Sequence, residues 1–203
     1  YIVTSNLSGA CGNTDTVVVT YAQSQNWSVG PGDTICAGNN TTIDAIGGNS
    51  YTWEPNYNIN DPAIISPLVN PDSSLYYHVT ITDTSIGCLY SDSIYVHVVP
   101  LPDPSIANSL VCERNPTLFS GNNSLGDQLI QSWVWDFDDG NSYDSISYSH
   151  IYQTPGNYNV TLTTTDFFGC VNSATVPVTV LAAPVADYET SDMSYQYMIN
   201  VPI

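Results

Sequence analysis

Four carboxylates crowd one short stretch of this 203-residue chain: Asp136, Asp138, Asp139 and Asp144. Calcium takes about six to eight oxygens from sets of this kind, so it is the cofactor that this cluster, or the linker at Asp103, would hold. The spacing is not that of an EF-hand loop. Asp136 and Asp139 can equally be turn formers whose carboxylates accept backbone N–H bonds. Three histidines, His78, His97 and His150, complete the residues able to move protons. None has a Ser or Cys nucleophile at a motif-like spacing, and there is no HExxH, phosphate loop or dinucleotide fingerprint. No catalytic residue is assigned, and the chain is expected not to be an enzyme.

Five cysteines, at 11, 36, 88, 112 and 170, are the remaining reactive groups, and a repeat organises them. Tyr1-Ile2-Val3-Thr4 leads to Cys11, Tyr77-His78-Val79-Thr80 to Cys88, and Tyr158-Asn159-Val160-Thr161 to Cys170. Each closing strand (Thr16–Thr20, Ser93–Val98, Thr175–Val180) opens five residues after its cysteine. A period of about 80 residues is the size of one small β-sandwich, and each copy reads as its last hairpin. Cys36 and Cys112 hold matching early positions. The repeat therefore predicts disulfides Cys36–Cys88 and Cys112–Cys170, with Cys11 pairing outside the fragment, each closing a loop worth about 4 kcal/mol in the chain-entropy model. The other reading, free thiols of a cytosolic protein, fits the paired placement less well.

The elements that position these groups are strands. Short alternating runs rich in Val, Thr, Ile and Tyr, punctuated by 13 Gly and 13 Pro, predict an all-β fold of tandem immunoglobulin-like β-sandwiches. Residues 1–22 are expected to end one domain, 23–100 to form a complete one, 101–181 another, and 182–203 to begin a further copy. Leu101-Pro102-Asp103-Pro104 is a stiff junction, because proline restricts itself and its predecessor.

Charge narrows the partners. Nineteen acidic residues against one basic residue, Arg114, give a formal net charge of −18. Such a surface repels nucleic-acid phosphates and anionic membranes. No apolar run approaches the ~20 residues of a membrane helix. With no lysine, Lys–Asn cross-links cannot form, and ion pairs are nearly excluded.

Trp133-Val134-Trp135-Asp136-Phe137-Asp138-Asp139-Gly140, then His150-Ile151-Tyr152 and Pro155-Gly156-Asn157-Tyr158-Asn159-Val160, resembles the polycystic-kidney-disease (PKD) domain. That resemblance implies an immunoglobulin-like sandwich with His150 in a structural position. Asp138 stands where the family usually has Gly; Asp tolerates left-handed backbone, so the turn is expected to survive. Residues 35–38, 47–55 and 77–88 resemble the immunoglobulin-like repeat of Bacteroidota surface proteins, which implies Trp53 on a central strand near a disulfide. Together the modules resemble gliding-motility adhesins, implying an extracellular or cell-surface glycoprotein exported by type IX secretion. Asp15-Thr16-Val17, Asp33-Thr34-Ile35, Asp92-Ser93-Ile94 and Asp144-Ser145-Ile146 resemble the Bacteroidota O-glycosylation motif, which would modify Thr16, Thr34, Ser93 and Ser145. The expected function is structural display. Partners would be neighbouring repeats of the chain, extracellular polysaccharide or other surface proteins. The alternatives are a carbohydrate- or surface-binding module, which needs an exposed aromatic platform, and the accessory domains of a larger secreted enzyme.

Overall fold

A computed structural model of the chain describes residues 2–3, 17–18, 26–124, 126 and 129–184. The chain divides into two compact units, Tyr1–Pro100 and Leu101–Ile203. The partial domains expected at 1–22 and 182–203 fall largely outside the described residues. In the first of them only β1 (Ile2–Val3) and β2 (Val17–Val18) are described, paired antiparallel with Ile2 opposite Val18.

The first unit continues with β3 (Ser28–Val29), β4 (Asp33–Cys36), β5 (Thr41–Thr42), β6 (Ala45–Ile46), β7 (Ser50–Glu54), β8 (Leu68–Val69), β9 (Leu75–Asp83) and β10 (Cys88–Val99). Its main sheet runs β4-β10-β9-β7. The period-two alternation of β9 sends Tyr77, Val79 and Ile81 inward and leaves Tyr76, His78 and Thr80 outward. Facing this sheet, the short pairs β3–β6 and β5–β8 bring Ala45 and Val69 into one core with Trp53, Tyr77, Ile81 and Ile94. The Trp53 indole N–H donates to the Ile64 carbonyl at 3.0 Å, so the buried ring leaves no orphaned donor.

The second unit contains β11 (Pro104–Asn108), β12 (Val111–Cys112), β13 (Thr117–Asn123), β14 (Ile130–Asp136), β15 (Ser142–Asp144), β16 (Ser147–His150), β17 (Gly156–Asp166) and β18 (Val171–Leu181). A three-stranded sheet, β11-β13-β16, packs over a five-stranded one, β12-β18-β17-β14-β15. Trp135, Phe119, Phe137, Tyr152 and Leu162 fill the space between them. Trp135 repeats the Trp53 device, donating to the Ser145 carbonyl at 2.8 Å. The two layers close tightly at Gly121, where a Cβ would lie 2.8 Å from Leu162 and 2.9 Å from the Trp133 ring. Both units are therefore all-β, immunoglobulin-like sandwiches ending in a long hairpin.

The disulfide pairing expected from the repeat is corrected by register. The parallel pairing of β4 with β10 places Cys36 opposite Val99, the last residue of that 12-residue strand, whereas Cys88 is its first. In the same way Cys112 lies opposite Leu181, while Cys170 immediately precedes the 11-residue β18. A strand of this length spans roughly 35 Å; a disulfide requires Cα atoms about 4.4–6.8 Å apart. Accordingly Cys88 and Cys112 are free thiols, and neither Cys36–Cys88 nor Cys112–Cys170 forms. Matching rank in the sequence is not proximity here, because the two cysteines of each unit lie at opposite ends of the sandwich.

Candidate functional site

The acidic turn is built from two overlapping side-chain caps. Asp136 Oδ1 accepts the Asp138 N–H at 2.9 Å, and Asp139 Oδ1 accepts the Asn141 N–H at 3.2 Å. Asp138 takes left-handed backbone (φ 59°), and its carboxylate reaches across to the Asn159 N–H at 2.9 Å, tying the turn to β17. Asp139 Oδ2 lies 2.9 Å from His150 Nε2, and the imidazole stacks on Phe137 with centroids 4.0 Å apart. Asp144 turns back to the Trp133 N–H at 3.3 Å. The four carboxylates singled out for calcium bond different protein donors, and among the described residues no three acidic, His or Cys side chains are grouped as metal ligands. His150 is buried within the same cluster and packs edge-on against Tyr152 at 4.6 Å.

Carboxylates cap the hairpin turns as well. Asp166, buried and not singled out in the sequence, accepts the N–H groups of Phe168 and Cys170, both at 2.8 Å. Its counterpart in the first unit, Asp83, accepts the Ser85 N–H at 2.9 Å and is also bonded by the Ser85 hydroxyl. Those bonds, the hydroxyl's first, hold the Asp83 carboxyl below its ordinary range. A carboxyl depressed on folding adds stability above its unfolded value, and that stability is lost as pH falls through the folded one. The melting-temperature difference between wild type and Asp83→Asn is therefore expected to be full at neutral pH and to shrink during acid titration below the ordinary carboxyl range; a pH-independent difference would refute the assignment.

The hydroxyls singled out for glycosylation are dispersed. Thr16 lies outside the described residues. Thr34 is exposed on β4, Ser93 is half-buried on β10, and Ser145 is half-buried with its hydroxyl donating to the Ser147 carbonyl at 2.8 Å. In two of the motifs the aspartate caps the next residue, with Thr34 N–H to Asp33 and Ser93 N–H to Asp92 both at 2.8 Å.

One arrangement was not singled out in the sequence. On the outer face of the first unit's main sheet, Tyr76 and Tyr95 stand directly opposite each other in the β9–β10 register, with ring centroids 4.7 Å apart. Tyr76 stacks with His78 at 6.4 Å, and Tyr95 with His97 at 6.3 Å. Tyr76 is 54% and Tyr95 40% exposed, so this four-ring ladder faces solvent. An open cleft of about 530 Å³ beside Glu54 and Pro55 includes His78 in its wall. Another, of about 420 Å³, includes Tyr95, His97 and Thr34. The signal was present as Tyr-x-His twice, at 76–78 and 95–97, once the hairpin register is known.

Against known proteins, a PKD domain family model matches residues 97–180. No curated protein matches the chain. Among solved structures, the chain is similar to carbohydrate-binding modules from the β-sandwich superfamily, with 30% identity over 41% of this chain and 35% of that one, at a TM-score of 0.39. The match thus spans about a third of that structure's length. The PKD1 domain of Vibrio anguillarum Epp is 23% identical over 41% of this chain and 96% of that one, with a TM-score of 0.37. The PKD1 domain of the Vibrio cholerae metalloprotease PrtV is 23% identical over 40% of this chain and 98% of that one, with a TM-score of 0.36. No helix among the described residues is long and apolar enough to cross a membrane.

Proposed function

We propose that this chain is a non-catalytic spacer segment of a secreted or cell-surface adhesin, of the kind that gliding bacteria export by type IX secretion. The observation that carries this reading is how the reactive residues are used. His150, Asp136, Asp138, Asp139 and Asp166 are committed to turns and to the aromatic core of the second sandwich, where they fix shape. Pro100, Pro102 and Pro104 stiffen the chain between two sandwiches, and the net charge of −18 keeps such segments from associating. The test is intact mass spectrometry of the native parent, isolated from the cell surface or medium. A mass well above that of these 203 residues, with sugar increments, is the expected result. A mass equal to these residues alone, recovered from cytoplasm, would contradict it.

The tyrosine–histidine ladder favours a second reading, contact with extracellular polysaccharide. Exposed aromatic rings present apolar faces to sugar rings, and the flanking carboxylate and hydroxyls can bond sugar hydroxyls. Affinity electrophoresis of the whole chain in polysaccharide-containing gels would read this. Tyr76→Ala and Tyr95→Ala are each expected to weaken retardation about tenfold, corresponding to ~1.4 kcal/mol, without unfolding the sandwich. Unchanged retardation in both variants would remove the ladder from consideration.

A further inference from the structure

The outer face of the first unit's main sheet carries a track that crosses all four strands. Glu54 on β7 stands directly opposite His78 on β9, Tyr76 opposite Tyr95 on β10, and His97 opposite Thr34 on β4. Period-two alternation puts Glu54, Thr34 and the four rings on the same side, away from the core. Three strand spacings across and four residues along the strands make the track roughly 20 Å long. An open cleft lies at each end. Glu54, Asn56 and His78 help line one, and Asp33, Thr34 and His97 the other. Asp33 accepts the Thr34 N–H at 2.8 Å and the Thr41 hydroxyl, two of about four bonds that a carboxylate can take. Both ends of the aromatic track thus offer a carboxylate, and residues 26–100 hold seven acidic residues with no lysine or arginine.

We propose that this face binds a hexosamine polymer with free amino groups, stacked on Tyr76 and Tyr95 and held at its charged amines by Glu54 and Asp33. This rests on the polysaccharide contact proposed above and adds the charge of the ligand. Charge complementarity selects the class: uronate and sulfated polymers, nucleic acid and a second copy of this acidic chain are all repelled. A protonated amine gains from a carboxylate and from the face of an aromatic ring within ~6 Å, whereas an acetylated one carries no charge for either. A track of this length meets several sugar rings at once, so an extended polymer fits it better than a single sugar. A basic peptide gains less, because β9 and β10 are paired on both sides and offer its backbone no ladder.

The test is calorimetric titration of the whole chain with a glucosamine oligomer, its N-acetylated counterpart and poly-lysine. It is run at about pH 6, where glucosamine amines carry charge and carboxylates stay ionised, in ~0.15 M salt. The glucosamine oligomer is expected to bind about tenfold tighter than the N-acetylated one. Glu54→Gln should weaken the glucosamine oligomer about threefold and leave the N-acetylated one unchanged, whereas Tyr76→Ala should weaken both. Asp44→Asn removes the same charge between β5 and β6, in the facing layer, and should change neither. Equal affinity for the two oligomers would overturn the inference and leave the polysaccharide contact standing; no binding of either would remove both. Equal losses in Glu54→Gln and Asp44→Asn would mean diffuse attraction of a polycation to an acidic protein, and would also overturn it. So would poly-lysine binding that Tyr76→Ala weakens as much as it weakens the glucosamine oligomer, which would assign the face to a basic peptide.

Discussion

Trp135→Ala is expected to remove most of the second sandwich's stability. The ring is fully buried between the two sheets, 5.7 Å from Phe137 and 6.1 Å from Phe119 by centroid. Truncating a buried tryptophan forfeits burial and leaves a cavity, together about 3–5 kcal/mol. The Ser145 carbonyl also loses its donor, adding about 1 kcal/mol. A sandwich of this size has only about 4–12 kcal/mol in total. Its melting temperature should therefore fall by about 15–30 °C, with early loss of amide protection in β17 and β18. A fall of a few degrees would mean that the ring is not central to the core.

Gly48→Ala should strongly destabilise the first sandwich. Gly48 holds φ +65°, and a Cβ there would lie 2.4 Å from Ile81 Cγ2 and 2.9 Å from the Thr82 carbonyl oxygen. Left-handed backbone costs a non-glycine residue about 1–2 kcal/mol, and the forced displacement of a fully buried isoleucine adds about 1–3. The sum is about 2–5 kcal/mol. Gly87 makes the matching control, because its φ is +68° but nothing lies within 4 Å of its Cβ position. Gly87→Ala should register the backbone component alone, about 1–2 kcal/mol. Chemical denaturation of both variants measures the difference; equal losses would show that the contact with Ile81 is not formed.

Much of this architecture was legible because strand periodicity is local. The alternation Tyr77, Val79, Ile81 and the run from Trp133 to Phe137 declare a buried face without knowledge of partners; Trp135 lies on β14, inside its sheet, whereas Trp53, expected on a central strand, is buried on the edge strand β7. The left-handed Asp138 was legible for the same reason, since Asp tolerates that backbone and Asp136 holds the turn by accepting the Asp138 N–H. Whatever depended on which residues face each other was not. Cys36 and Cys88 bracket a domain in sequence, yet the parallel β4–β10 register separates them by the length of a strand. The acidic residues lie close together in sequence, but which donor each one bonds was not legible: Asp139 caps its own turn while Asp138 reaches across to β17. The Tyr76–Tyr95 ladder needed the hairpin register before two isolated tyrosines became one surface.

The most direct test of the spacer role is replacement in the parent protein. Residues 26–181 would be exchanged for two unrelated, cysteine-matched immunoglobulin-like sandwiches of equal length, and adhesion of the producing cells measured. Adhesion at the wild-type level is expected, because a spacer contributes length and stiffness that any comparable pair of sandwiches supplies. Loss of adhesion with normal surface abundance would contradict the spacer role and place a specific contact, the tyrosine–histidine ladder first, within this chain.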